Sequence, residues 1–340
     1  MATAELLPEK RIDTETPLPR PSESAAQPVL DKPATVLRRK IIWLNTIVFF
    51  CFHALMPLMF VPYFFSWYGL LSLPLANYIF CSLGIGAGYH RLLTHRGYQC
   101  PRWLEYTLAT LGVCCMQDTP ARWVTIHRIH HNNSDEQPDP HSPLVTLFWA
   151  HIGWLFVENT EFLKPSNMKK YSKELLLQPY YRWLESRFNF ILVLFAQAAL
   201  IAGLGALYGV IRYGDTRAIV QCAVQWLYWG AFMRVIYTWH VTWSVNSFAH
   251  VFGYRNYETL DNSRNNWVVG LATNGEGWHN NHHADPRSAL HGHRWWELDL
   301  TYATIRLWEK CGLAWHIALP HHRAEPVTEA TGGGGVTSSV

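Results

Sequence analysis

Histidines are concentrated in three short segments of this sequence. In the segments 127–131 and 279–283 they are spaced i, i+3 and i+4, which places three imidazoles on one face of a helix. Neutral imidazole is the commonest nitrogen ligand of transition metals. The spacing therefore predicts metal binding, whereas packing on the surface or in the core is the alternative for any single histidine. The groups are His90 and His95; His127, His130 and His131; and His279, His282 and His283.

A ninth candidate ligand, His250, stands alone in the sequence. It lies four residues after Asn246, so the two side chains are neighbours on a helix face. Nine imidazoles are too many ligands for one ion and are enough for two. Structural zinc favours four ligands that often include cysteine, whereas a nitrogen-rich site with spare coordination positions suits redox iron. The histidines therefore indicate two iron ions that activate O₂ next to an apolar substrate.

Long apolar blocks separate the histidine groups, and the charges lie between these blocks. The 340 residues are 49% hydrophobic, and the 17 tryptophans are typical of the aromatic belts of membrane proteins. The net charge of +3 favours neither a nucleic-acid binder nor a protein that captures acidic ligands. The seven cysteines contain no Cys-x-x-Cys pair. We interpret the adjacent Cys114 and Cys115 as small buried residues in a reducing compartment, with a disulfide or thiolate site as the alternative.

Four apolar segments predict membrane spans, since a bilayer crossing needs about 20 residues. The basic residues 38–40 place the N-terminus in the cytoplasm by the positive-inside rule. Two helical hairpins then put both termini and all nine histidines on the cytoplasmic side. We therefore predict an all-α membrane protein with four transmembrane helices under a cytosolic helical cap that holds the metal site. The predicted spans are 41–65, 70–89, 188–211 and 218–241.

The composition divides the chain into three parts. Residues 1–37 lack hydrophobic periodicity and are predicted to be disordered, 38–320 form one membrane domain, and 321–340 form a flexible tail.

Arg234 is unusual inside an apolar segment, so it lies near the interface or faces a polar cavity. Gly84, Gly86 and Gly88 are expected to let another helix approach the second span closely.

The three histidine groups resemble the histidine boxes of the membrane fatty-acyl desaturases, and the match is closest to the Δ9 (stearoyl-type) branch. The supporting segments are 88–92, 139–141, 151–154, 246–254 and 275–279, and the resemblance covers about residues 41–315. It implies a di-iron centre held by the nine histidines, with Asn246 reaching one metal through a water. It also implies a kinked tunnel that bends the acyl chain. The residues that match those shaping the bend are Gln117, Trp123, Thr242 and Trp243.

The resemblance implies O₂-dependent insertion of a cis double bond into a saturated acyl chain, with two electrons supplied from outside. No His-Pro-Gly-Gly haem motif is present in the sequence, so a separate donor is implied, either cytochrome b5-like or a ferredoxin. Acyl-CoA desaturases carry an Arg-Asp pair before the second box, where this sequence has Thr125 and Ile126. The acyl carrier therefore stays open between CoA, a lipid and a carrier protein.

Two other functions compete with desaturation. A membrane di-iron hydroxylase shares the histidine boxes and would give an oxygenated product. A non-enzymatic metal transporter would carry its ligands at bilayer depth along a path, whereas these histidines are predicted at the ends of the spans. His141 and His151 do not match family ligands. The histidines interpreted as surface or core residues are His53, His240, His291, His293, His316, His321 and His322.

Overall fold

A computed structural model of the protein describes residues 29–321, apart from the side chains of Arg38 and Arg39. The predicted disordered segment lies outside the described residues up to 28, and the predicted tail does so from 322. The described chain is mostly helical and contains one two-stranded sheet. The helices pack around a core formed mainly by the second apolar helical segment and the helices that follow it.

Three helical segments are long and apolar enough to cross a membrane, and they correspond to the first three predicted spans. The first consists of helix α1 (Trp43–Ala54) and a 3-10 helix, Met56–Phe60. The second begins three residues earlier than predicted, as helix α2 (Trp67–Asn77), because the Ser66 hydroxyl caps it. It continues without a break as a π-helix, Tyr78–Thr94. The third is helix α9 (Arg187–Arg212).

The fourth predicted span is helical but less apolar than the other three. Helix α10 (Thr216–Leu227), a π-helix (Tyr228–Met233) and helix α11 (Arg234–Ser247) follow one another directly. Helices α9 and α10 pack against each other as a hairpin across a short turn. Polar side chains that face the protein interior, Arg234 among them, lower the hydropathy of the fourth segment, so composition alone does not mark it as a span.

The other helices are short and lie between or after the apolar segments. They carry seven of the nine candidate ligand histidines. These helices are α3 (Arg102–Val113), α4 (Pro120–Asn133), α5 (Leu147–His151), α6 (Pro165–Tyr171), α7 (Lys173–Leu176), α8 (Pro179–Glu185), α12 (Trp267–Ala272), α13 (His279–Ala284) and α14 (Leu300–Lys310), together with the 3-10 helices Gly153–Phe156 and Phe248–His250.

Regular structure begins closer to the N-terminus than the composition predicts. Strand β1 (Val36–Ile41) pairs antiparallel with strand β2 (Val157–Asn159), although disorder was predicted through residue 37. The backbone nitrogen of Leu30 also donates to the carbonyl oxygen of Leu144. The partner of this segment lies more than a hundred residues away, and local sequence pattern does not reveal such a partner.

Two of the three predicted close-approach glycines pack against α3. A Cβ atom at Gly84 would lie 2.4 Å from the backbone nitrogen of Gly112, and one at Gly88 would lie 3.1 Å from Leu108 Cβ. Gly86 instead faces the carboxylate of Glu276. The absence of side chains at Gly84 and Gly88 therefore brings α3 directly against the segment that carries His90.

Replacing Gly84 with alanine is expected to destabilise the protein by about 1–3 kcal/mol, the usual cost of forcing volume into a packed interface. The opposing atom belongs to the backbone of α3, so it cannot swing away. Thermal unfolding in detergent measures the effect. The control is Gly203→Ala in α9, where the new Cβ meets nothing within 4 Å. Equal melting temperatures of the two variants would contradict the close packing.

Candidate metal centre

Four helical elements meet where their histidines converge. The π-helix ends beside His90 and His95, and α4 carries the second group. Helix α13 carries the third group, and the 3-10 helix after α11 ends at His250. The π-helix explains the spacing of the first pair. Its hydrogen bonds join residues i and i+5, so residues five apart lie on the same side, and the nitrogen of His95 donates to the carbonyl of His90.

Arginines between the histidines join these elements. Arg91 is fully buried and donates to Glu276 in the loop before α13 at 2.7 Å and to Asp299 at 2.9 Å. Arg128 lies among the histidines of α4 and donates to the carbonyl oxygen of Thr94 at 2.7 Å, at the end of the π-helix. These charge-assisted hydrogen bonds set the relative positions of the segments that carry the three histidine groups.

Helix α13 has only six residues, too few to be stable on its own. Asn280 and Asn281 lie between its histidines and are fully buried. The Asn281 amide donates to the carbonyl oxygen of His291 and to Glu297, each at 2.8 Å, while the nitrogen of Asn280 donates to the Asn265 side chain at 3.0 Å. This polar network holds the helix so that its histidines face the other groups.

Five of the histidines form one group, which we call the first histidine group. The potential ligand atoms of its members all lie within 4.8 Å of one another. Its Nε2 atoms approach closely, with 3.0 Å from His90 to His282 and 3.0 Å from His282 to His131. His127 Nε2 is also 3.0 Å from His131 Nε2. The members are His90, His95, His127, His131 and His282.

The other four histidines form the second histidine group, again with potential ligand atoms within 4.8 Å of one another. His279 Nε2 lies 3.1 Å from His250 Nε2 and 3.0 Å from His283 Nε2. The rings of His131 and His283 stack at 4.6 Å, so the two groups adjoin. The members are His130, His250, His279 and His283. All nine histidines predicted as ligands are thus brought together.

Four carboxylates orient histidines of the two groups, and sequence reasoning missed all four. Each receives the Nδ1 proton of one imidazole, an arrangement typical of the surroundings of metal-binding histidines. Two of them lie in the loop after α4, where the histidine spacing gives no signal. In the sequence, the only indication of their role is that they follow shortly after His130 and His131. The pairs are His90–Glu276 at 2.5 Å, His130–Asp139 at 3.0 Å, His250–Asp135 at 3.0 Å and His283–Asp261 at 2.7 Å.

The donor set suits a cation. His250 and His283 donate their Nδ1 protons to carboxylates, so their Nε2 atoms carry lone pairs that face His279. His95 Nε2 and His130 Nε2 are buried and have no hydrogen-bond partner within residues 29–321. Converging lone pairs repel one another, and unpaired buried nitrogens are costly. A bound metal ion at each group would remove both penalties, so these residues fit metal binding.

The protonation states also favour metal binding. Burial, together with the charge of neighbouring imidazoles, holds the pKa values of His127, His131, His279 and His282 well below their ordinary value. Burial would lower the pKa of His250 as well, but the adjacent Asp135 carboxylate outweighs it and raises that pKa. Most of the histidines are therefore neutral at pH 7, which is the form that binds a metal.

Two further histidines lie beside the groups. His291 is fully buried, and its ring lies 4.6 Å from that of His282 and 5.4 Å from that of His90. Its Nδ1 atom is 3.5 Å from a carboxylate oxygen of Glu276. The sequence assigned it to the surface or core because it lies outside the regular spacing. His141 is buried, and its ring lies 4.4 Å from that of His130. This agrees with its place in the sequence shortly after the second histidine box.

A large apolar cavity adjoins the histidines. Its volume is about 1750 Å³, and His90, His127 and His279 form part of its wall. Asn246 also lines the cavity. The cavity runs from β2 and the start of α1 to the middle of α9 and α11. Its size and apolar walls suit a long alkyl chain.

The four residues expected to shape a bend all line this cavity. Gln117 donates to the Thr242 hydroxyl at 2.9 Å, which joins the turn after α3 to α11. Trp123 stacks on His127 at 4.7 Å, so it connects the wall to the first histidine group. Trp243 is buried on the facing helix. The set therefore surrounds the part of the cavity nearest the histidines.

Arg234 also lines the cavity, so it faces the interior as the second of its two predictions stated, although the cavity is apolar rather than polar. It is fully buried, donates to the carbonyl oxygens of Gly230 at 2.8 Å and Cys114 at 3.0 Å, and lies 4.1 Å above the ring of Phe80. Cys114 and Cys115 are free and buried, as expected. The cation thus satisfies helix carbonyls at the deep part of the cavity.

The positions that differ from the acyl-CoA pattern do not form a charged site. Thr125 is buried and donates to the carbonyl oxygen of Ala121 at 2.7 Å, while Ile126 lines the cavity. Arg122 lines the cavity, 3.5 Å from Glu185 and 3.8 Å from Asp118. Acidic partners thus offset this cation, which weakens any attraction for a polyphosphate group.

Comparison with known proteins gives a consistent result. The family described as "Fatty acid desaturase" matches residues 65–316. The chain is 41% identical to the sn-1 stearoyl-lipid 9-desaturase of Anabaena variabilis, over 84% of this chain and 97% of that protein. It is 39% identical to the sn-2 palmitoyl-lipid 9-desaturase of Nostoc sp., over 80% and 88%. It is also 39% identical to the acyl-CoA 5-desaturase AL21 of Anemone leveillei, over 76% and 74%.

Proposed function

Since the chain belongs to the fatty acid desaturase family and is a desaturase by that membership, we propose that it introduces a cis double bond at the Δ9 position of a saturated acyl chain attached to a membrane lipid. The observation that carries this proposal is the convergence of nine imidazoles beside an apolar cavity. Relatives named as lipid 9-desaturases support the position and the carrier. Acidic side chains offset the Arg122 cation on the cavity wall, which agrees with a lipid rather than CoA.

The two histidine groups would hold one iron ion each, with Asn246 reaching one of them through a water. Bound iron supplies the O₂ reduction that removal of hydrogen from an unactivated methylene requires. The reaction consumes one O₂, two external electrons and two protons, and it gives the alkene and two waters. The electrons come from a separate protein, cytochrome b5-like or a ferredoxin. Three of the carboxylates hold the imidazoles of His130, His250 and His283 in the tautomer that presents Nε2.

The cavity selects the reacting carbons by position. Methylenes along a saturated chain are chemically alike, so placement relative to the metal groups decides which one reacts. Gln117, Trp123, Thr242 and Trp243 would bend the chain at that point. The apolar wall excludes water, which protects the oxidising species from side reactions.

The membrane arrangement is part of the proposal. Four helical segments would cross the bilayer as two hairpins, the fourth being Thr216–Ser247 with its polar face turned to the cavity. The short helices and both termini would lie on the cytoplasmic side and form a cap over the metal site. This topology places the site where a cytoplasmic electron donor can reach it.

Expression in a desaturase-deficient host tests the function. The protein is produced with a matching reductase, and the fatty acids of the lipid, CoA and carrier-protein pools are analysed separately. We expect new cis-9 unsaturation first in the lipid pool. Its first appearance in the CoA or carrier-protein pool would overturn the carrier assignment. An oxygenated chain would identify a hydroxylase, and metal uptake by vesicles with no altered fatty acid would identify a transporter.

Replacing Trp243 with alanine is expected to broaden the double-bond position and to lower the rate, because the bend loses one wall. Truncating a buried tryptophan also costs about 3–5 kcal/mol of stability, so protein yield and iron content are measured in parallel. The expected signature is a mixture of positional isomers from correctly loaded enzyme. An unchanged single isomer at an unchanged rate would show that Trp243 serves only packing.

A further inference from the structure

Three histidines outside the two histidine groups form a continuous hydrogen-bonded chain. His53 is in α1, His240 is in α11 and His151 is in α5. His53 Nε2 lies 2.9 Å from His240 Nε2, and His240 Nδ1 lies 3.0 Å from His151 Nε2. We call these residues the histidine chain. It joins three helices that are far apart in the sequence.

One end of the histidine chain reaches a backbone carbonyl of α1, and the other end reaches the Ser247 hydroxyl of α11. His53 Nδ1 lies 2.7 Å from the carbonyl oxygen of Phe49, which can only accept, so His53 donates there. Its Nε2 then accepts from His240, and His240 accepts from His151. His151 Nδ1 lies 3.0 Å from the hydroxyl oxygen of Ser247, and the single proton of that hydroxyl is donated to the carbonyl oxygen of Trp243 at 2.8 Å. The three imidazoles therefore form one continuous line of contacts from the carbonyl oxygen of Phe49 to the hydroxyl of Ser247.

The location of the histidine chain makes its presence informative. His53 lies within a segment long and apolar enough to cross a membrane. Ionisable side chains in such segments are costly, face the protein interior and usually serve a function. All three imidazoles are half-buried and none touches a member of the two histidine groups. The chain is therefore separate from the metal centre and needs its own explanation.

The histidine chain packs directly behind the cavity wall. The ring of Trp243 lies 5.9 Å from that of His240 and 6.2 Å from that of His151, edge to face in both cases. Phe49, whose carbonyl ends the chain, lies 6.3 Å from Trp243 and also lines the cavity. Moving any link of the chain would therefore move or loosen the indole.

We propose that His53, His240 and His151 are positioning residues that fix the Trp243 indole against the acyl chain and so determine which methylene reacts. The proposal rests on the desaturation proposed above. The three hydrogen bonds that link α1, α11 and α5 restrict the Trp243 indole to a single orientation. The histidine chain touches the wall and not the reacting carbons, so it acts through Trp243.

The test compares His240→Leu with His240→Gln in the full-length enzyme, using the double-bond position as the readout. Leucine fills the space without a donor or acceptor, whereas glutamine keeps one of each. We expect leucine to lower the ratio of the main isomer to its neighbours by about tenfold, the effect of about 1.4 kcal/mol, which is the scale of one buried hydrogen bond. Glutamine is expected to restore most of that ratio, and iron content is expected to stay unchanged in both.

A second variant keeps the test decisive if His240→Leu fails to fold. His53→Leu breaks the outer link, and Cys51→Leu on the exposed side of the same helix is its control. The proposal is supported if the His53 variant gives a wider range of double-bond positions and the Cys51 variant does not. The wild-type isomer ratio in every folded, iron-loaded chain variant would overturn it. A hydroxylated product from the wild type would instead overturn desaturation, and its position along the chain would still report on Trp243.

Discussion

Replacing His282 with alanine is expected to abolish desaturation and to release one of the two proposed iron ions. His282 is buried, and its Nε2 atom lies 3.0 Å from both His90 and His131, so it stands at the middle of the first histidine group. Removing this imidazole leaves four in the group and enlarges the gap between His90 and His131. The second group shares no ligand with the first, so it is expected to keep its ion.

Iron content per folded chain and product formation are measured together for this variant. Circular dichroism in detergent checks that the helices remain, since His282 itself lies on a six-residue helix held by its neighbours. His321→Ala is the control, because that side chain is 76% exposed and lies outside both groups. Full iron content and wild-type turnover in the His282 variant would remove it from the ligand set.

The sequence could predict the histidines because their spacing follows helix geometry. The i, i+3, i+4 pattern of His279, His282 and His283 corresponds to α13. The same pattern in His127, His130 and His131 corresponds to α4. The pair His90 and His95 has no place on an ideal α-helical face, and the π-helix accounts for it. The convergence of all nine was predicted from the side of the membrane that each segment would share.

The residues that complete the site could not be predicted in the same way. Asp135 and Asp139 lie in an irregular loop, where Asp135 has a positive φ of 57° and no repeating pattern marks it. Asp261 and His291 reach the site through tertiary contacts alone. Strand β1 was missed because its partner lies far along the chain. In each case contacts with distant parts of the chain determine where the residue or strand lies, and local sequence propensity does not predict such contacts.

The surroundings of the nine histidines have a consequence for how the site is maintained. Each group combines ligand atoms from at least three separate chain segments, so no single helix forms a binding site. Arg91 and Arg128 join these segments through charge-assisted hydrogen bonds that involve none of the histidine nitrogens. Side chains other than the candidate ligands therefore hold the segments together, and the carboxylates that orient the imidazoles are expected to matter for metal binding as well.

Replacing Asp135 with asparagine is expected to lower iron affinity or activity by about 10–100-fold, the usual effect of losing a partner of a metal-binding histidine. Asp135 accepts from His250 at 3.0 Å, from the Ser142 hydroxyl at 2.6 Å and from the nitrogen of Asn262 at 2.8 Å. Asparagine has nearly the same shape and tolerates the positive φ, so the variant removes charge without strain. The amide can also turn its NH₂ group towards His250, which favours the wrong tautomer.

Competition with a chelator measures iron affinity for this variant, alongside turnover and isomer position. The matched control is Glu136→Gln, which neutralises the exposed neighbouring carboxylate. Because the cavity wall is untouched, we expect the double bond to stay at its wild-type position while the amount of product falls. Iron affinity equal to that of the Glu136 control would show that the Asp135 charge does not support His250. A shifted double bond would instead place Asp135 in the control of chain position.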